Sequence, residues 1–116
     1  MLASLSGAES GILVNPAAAS RFRITGPVSV SAGSAFSITV TVLDAYGNVA
    51  TGYTGTVHFK SSDGSATLPS NYTFTAADQG VHTFTGLRLK KKGTQTITVF
   101  DTLTSNIVGS LSVSVL

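Results

Sequence analysis

Apolar and polar residues alternate along most of this chain with a period of two, the period of a β-strand with one buried face. In Phe36-Ser37-Ile38-Thr39-Val40-Thr41-Val42, four apolar side chains fall on one face and three hydroxyls on the other. Asp44-Ala45-Tyr46-Gly47-Asn48 ends that strand, since Asp and Asn bond their own backbone and Gly accepts positive φ. Thr56-Val57-His58-Phe59-Lys60 follows, with Val57 and Phe59 inward and His58 and Lys60 outward, and Ser61-Ser62-Asp63-Gly64 turns the chain. Tyr72-Thr73-Phe74-Thr75 predicts a short strand, closed by a turn at Asp78-Gln79-Gly80. In Val81 to Leu89 the phase slips, because Phe84 lies on one parity and Leu87 and Leu89 on the other; a bulge at Gly86 would reconcile them. Thr94 to Phe100 and Ile107 to Val115 complete the series, with Ile97 and Val99 as core candidates. At the start, Phe22 and Ile24 alternate with Arg21 and Arg23, and Val28 and Val30 continue after Gly26-Pro27. Seven strands joined by Gly, Asn and Asp turns, with no sustained 3.6-residue period, predict an all-β antiparallel sandwich of two sheets.

Composition sharpens that picture mostly by exclusion. The chain has 116 residues, enough for one domain with a single core, and 16 Ser and 16 Thr against 12 charged residues. Zero Cys excludes a disulfide scaffold and a cysteine-based zinc site. An apolar fraction of 42% with a net charge of +2 is far from the composition of a disordered chain. No apolar run approaches the roughly 18 residues of a membrane helix, so membrane insertion is not expected. Lys90-Lys91-Lys92 is a single basic run without interleaved aromatics, and it reads as a solvated loop rather than a nucleic-acid footprint. Met1 to Ser20 carries no positive charge at its start and does not read as a secretory signal.

From Ser20 to Thr102 the chain resembles the bacterial immunoglobulin-like repeats of large secreted and cell-surface proteins. The resemblance rests on Ala32-Gly33 ahead of a Phe-led strand, on Asp44-Ala45-Tyr46-Gly47-Asn48, and on Gly52-Tyr53-Thr54-Gly55-Thr56-Val57. It runs on through Ser61-Ser62-Asp63, Leu68-Pro69, Tyr72-Thr73-Phe74-Thr75, Asp78 to Phe84, and Gly93 to Val99. It implies an extracellular or cell-surface module, strung in tandem and partnered with neighbouring domains of the same polypeptide. It implies no catalytic residue. Ile12-Leu13-Val14-Asn15-Pro16 has the character of the last strand of a preceding repeat, matching Leu111 to Leu116. Residues 1–19 thus read as a linker with a remnant or extra edge strand, and 20–116 as the sandwich.

Candidate chemistry is sparse. His58 and His82 fall on strands of different sheets, and both sit beside inward residues and should point outward, which argues against a two-His metal site. No Gly-x-Ser-x-Gly elbow occurs, no carboxylate pair stands out, and a Lys–Asn isopeptide bond lacks its buried Lys, so the chain is read as no enzyme. Sandwich topology gathers Asp44, Asn48, Asp78 and Asp101 in the loops of one pole, where the chain enters. Clustered carboxylates suit Ca²⁺, which takes 6–8 oxygen ligands; alternatively, each Asp is simply the favoured residue of its own turn. The same pole, with Tyr46 as a stacking platform, could bind a glycan or host surface.

Overall fold

Strands form where the alternation places them. The computed structural model describes residues 18–116. Its strands are β1 (Ala19–Thr25), β2 (Ser29–Val30), β3 (Ala35–Asp44), β4 (Thr56–Ser61), β5 (Tyr72–Thr73), β6 (Val81–Arg88), β7 (Gly93–Asp101) and β8 (Val108–Val115). One 3₁₀ turn, Ala76–Asp78, is the single helical element among the described residues. A three-stranded sheet has the order β1-β3-β6, and a five-stranded sheet the order β2-β8-β7-β4-β5. All pairings are antiparallel except that of β2 with β8. The chain is an all-β immunoglobulin-like sandwich, as the pattern predicts. The expectations for residues 1–17, including the Ile12–Val14 strand, lie outside the described residues.

The core is the sum of the inward positions. Phe22, Ile38, Val40, Val42, Val57, Phe59, Phe84, Ile97, Val99 and Val113 are all buried in one cluster with Phe74, Leu87 and Leu89. Four aromatic rings meet edge to face: Phe59 lies 4.7 Å from Phe84, and Tyr72 lies 5.3 Å from Phe84 and 5.4 Å from Phe74. Without disulfides, this apolar and aromatic packing joins the sheets.

Gly86 does what the phase slip requires. Phe36 faces Leu87 and Ile38 faces Phe84, so β6 carries one extra residue, and Gly86 absorbs it at φ 76°. Three expectations need correction. The first strand is two: the chain leaves β3 at Thr25, crosses at Gly26-Pro27 and joins β8 as β2, which leaves Val28 82% exposed. The fourth strand shrinks to Tyr72–Thr73: Phe74 is buried and its N–H still bonds the Gly55 carbonyl, but Thr75 then caps the 3₁₀ turn at Ala76–Asp78 and the pairing with β4 stops. His82 does not point outward. It shares the parity of Phe84, and its ring stacks on Tyr72 at 4.2 Å. Val81, the neighbour that suggested otherwise, is the one exposed.

The two ends of the sandwich follow from register. Ala19 pairs with Asp44, so β1 begins where β3 ends. Gly93 pairs with Val115, so β8 ends where β7 begins. The Tyr53 hydroxyl, in the loop after β3, donates to Asp101 at the end of β7, which puts Asp44 and Asp101 at the same end. The chain therefore enters the domain at one pole and leaves at the other. Nine residues of β7 set their separation at about 30 Å.

Candidate functional site

All four predicted residues of the entry pole, Asp44, Asn48, Asp78 and Asp101, lie at that pole, each in or beside its own turn. Asp44 closes β3, where its Oδ1 accepts the N–H groups of Tyr46 (2.8 Å) and Asn48 (2.9 Å). The Asn48 carbonyl accepts the Asp44 N–H in return, while Gly47 takes φ 83°. Asp78 ends the 3₁₀ turn: its Oδ2 accepts the Thr75 N–H (2.9 Å) and the Tyr72 hydroxyl (2.8 Å), and its Oδ1 meets His82 Nδ1 at 3.0 Å. Asp101 closes β7, with Oδ1 accepting from Leu103 N (2.8 Å) and Thr104 N (2.9 Å) and Oδ2 from Tyr53. The same device appears three times. A carboxylate at a strand end (Asp44, Asp101) or in the 3₁₀ turn (Asp78) accepts backbone N–H groups that no ladder serves.

The electrostatics agree. Burial pushes the Asp78 carboxyl up, but its bonds from Thr75, His82 and Tyr72 outweigh that and bring it down to about 2. At Asp101 burial likewise pushes up, and the bonds from Tyr53, Thr104 and Leu103 win, leaving it below the ordinary carboxylate range. Tyr53 moves the other way: burial, then its bond to an anionic acceptor, hold its phenol well above the usual tyrosine value. Among the described residues, no group of three or more His, Cys, Asp or Glu is placed to hold a metal ion. The carboxylates share a pole without converging on one point.

Tyr46 is 83% exposed, and Leu103, in the loop after β7, is 93% exposed. A groove of about 520 Å³ is lined by Ala18, Ala19, Ala50, Thr51, Tyr53 and Gly55 among others. Its walls are methyls, hydroxyls and backbone, and its one titratable group, Tyr53, is already bound to Asp101.

The opposite pole holds the residue that the turn pattern undersells. Asp63 is buried, and its carboxylate accepts N–H groups from Ser65 (2.9 Å), Lys90 (2.6 Å) and Lys91 (3.0 Å). The Lys91 and then the Lys90 N–H groups hold its carboxyl below the ordinary range. The lysine run is thus the exposed part of the loop that carries the chain from β6 in one sheet to β7 in the other, its backbone anchored from 27 residues away.

No protein-family model matches the sequence, and neither does any curated protein. Solved structures do resemble the fold. A superoxide reductase (neelaredoxin) from Ignicoccus hospitalis superposes with a TM-score of 0.56 at 18% identity, over 83% of this chain and 80% of that one. The CARDB domain of the PF1109 protein of Pyrococcus furiosus, in complex with di-metal ions, gives 0.51 at 20% identity, over 82% and 90% of the two chains. Its solution structure gives 0.50 at 17% identity, over 83% and 93%. At such identities these likenesses carry the architecture and nothing of the chemistry. What they support is an immunoglobulin-like β-sandwich module.

Proposed function

We propose that this chain is a non-catalytic spacer: an immunoglobulin-like repeat of a multidomain extracellular bacterial protein that holds neighbouring domains apart and in line. The observation that carries this reading is the polarity of the fold. Entry at Ala19 and exit at Val115 lie at opposite poles, so successive copies would add end to end. The strand that leads out is also well placed to bear load. β2 runs parallel to β8, and Ser114 N, Leu116 N and Ala32 N donate to Val28, Val30 and Leu116 carbonyls at 2.9, 2.9 and 3.1 Å. Tension between the poles would draw β2 and β8 past each other along their length, straining these bonds together rather than one by one.

The absence of catalysis is part of the proposal. It rests on the carboxylates being engaged by their own turns and on the groove's inert lining. No helix among the described residues is long and apolar enough to cross a membrane. The test is a tandem of two copies joined through residues 1–19 and measured by small-angle scattering. In-line spacing predicts a maximum dimension close to twice that of one copy. A compact pair, folded side by side, would refute it.

A further inference from the structure

The outer face of the five-stranded sheet has a composition that no spacer needs. Register aligns His58 with Phe100, and Lys60 with Thr98 and then Ser110. Phe100, on the solvent side of β7, is only half-buried. The His58 ring meets it edge-on at 5.3 Å and 62°, and the Lys60 Nζ stands 5.4 Å from its centroid. His58 Nδ1 is fixed by Asn71 Oδ1 at 2.7 Å. That bond holds the imidazole in place and leaves the Asn71 amide N–H groups directed elsewhere. One aromatic ring thus meets an ammonium and an imidazole, with the Asn71 amide bound to that imidazole and Thr98 and Ser110 in register with Lys60 on adjacent strands about 4.8 Å apart.

The charge on this face is one-sided. The four described carboxylates all stand in pole turns, bound to backbone N–H groups of those turns. Among the described residues, none lies within ion-pair distance of Lys60, and the one salt bridge found joins His82 to Asp78. Lys60 is exposed with its ammonium resting on a ring rather than on an anion. An exposed contact of that kind contributes roughly 0.5–1 kcal/mol, little enough for a better partner to displace it.

We propose that this face binds an acidic glycan. A sugar ring would stack its apolar C–H face on Phe100, its carboxylate would take the Lys60 ammonium, and its hydroxyls would bond Asn71, Thr98 and Ser110. A single cation suits one carboxylate per binding register. It would not hold a nucleic acid, whose affinity comes from many phosphate contacts. The site is distinct from the Tyr46 pole and does not depend on the spacer reading.

The test is a backbone amide NMR titration of the 116-residue chain with an oligogalacturonate, and with the same oligomer fully methyl-esterified. The acidic oligomer is expected to shift Lys60, Phe100, Thr98 and Ser110, and the ester to bind roughly tenfold or more weakly. Lys60→Gln, an exposed substitution that leaves the fold intact, should reproduce that loss, and Tyr46→Ala should bind as the native chain does. Phe100→Ala should abolish the shifts. If it unfolds the sheet, Lys60→Gln alone decides. No shifts on this face at millimolar oligomer, equal binding of acid and ester, or shifts confined to Lys90–Lys92 and unchanged in Lys60→Gln would each overturn the proposal.

Discussion

The two poles of this sandwich use the same residue type for different ends. At the entry pole, Asp44, Asp78 and Asp101 each take backbone N–H groups from within four residues along the chain, and the long loops they brace leave Tyr46 and Leu103 in solvent. At the exit pole a single carboxylate, Asp63, ties the loop after β4 to the loop that crosses from β6 to β7. Local caps keep each loop shaped but largely independent of its neighbours. The long-range tie couples segments that the sequence holds far apart. The entry pole is therefore three small devices in parallel, with Tyr53 as the link between two of its loops, and the exit pole is one shared device.

The largest expected effect forces apart the two sheets that carry both poles. Gly109 of β8 lies against Phe22 of β1, where an added Cβ would overlap the Phe22 carbonyl. Backbone cannot yield as a side chain can, so Gly109→Ala should destabilise by about 3 kcal/mol or more, measured by denaturant unfolding. Asp101→Ala comes next. It strands the Tyr53 hydroxyl and two loop N–H groups, and should cost about 2–3 kcal/mol. The comparison predicts where the damage appears. In Asp101→Ala, amide exchange should quicken at Leu103, Thr104 and around Tyr53; in Asp63→Ala it should quicken at Ser65, Lys90 and Lys91 together.

Acid should act on both poles with one sign. Asp78 titrates at about 2 in the folded chain and near 3.9 when unfolded, so its contribution is whole above about pH 4 and is lost as pH falls through about 2. Asp63 and Asp101 are depressed too and add to the same loss. Thermal unfolding should therefore show the melting temperature falling between pH 4 and 2, with a shallower fall in Asp78→Asn. The smallest effect concerns calcium. Melting curves in excess EDTA and in millimolar Ca²⁺ should superimpose, because each entry-pole carboxylate already serves its own turn.

Much of this was legible in the sequence because it is local. Alternation in Phe36–Val42 and Thr94–Phe100 encodes both strands and their inward faces, and Gly86 marks its own bulge. The Asp turns at strand ends read equally well, since Asx chemistry spans two to four residues. What stayed hidden depends on distance. Nothing near Asp63 announces Lys90 and Lys91, and nothing near Tyr53 announces Asp101. His82 was misread from the apolar neighbour Val81, when its parity with Phe84 settles the face. The split of the first strand is a sheet-level choice: β2 gains β8 as a partner only once both sheets exist.

The most direct test of the spacer account is to pull the domain along two axes by single-molecule force spectroscopy. Attachment at Ala18 and Leu116 loads the poles against each other and strains the β2–β8 bonds together. Attachment at Ala18 and Leu103 applies force within the entry pole alone. A distinctly higher unfolding force along the first axis, lowered by Ser114→Pro, which removes the bond to Val28, is the predicted result. Equal forces along both axes, or a higher force within the entry pole, would contradict a domain built to carry load from end to end.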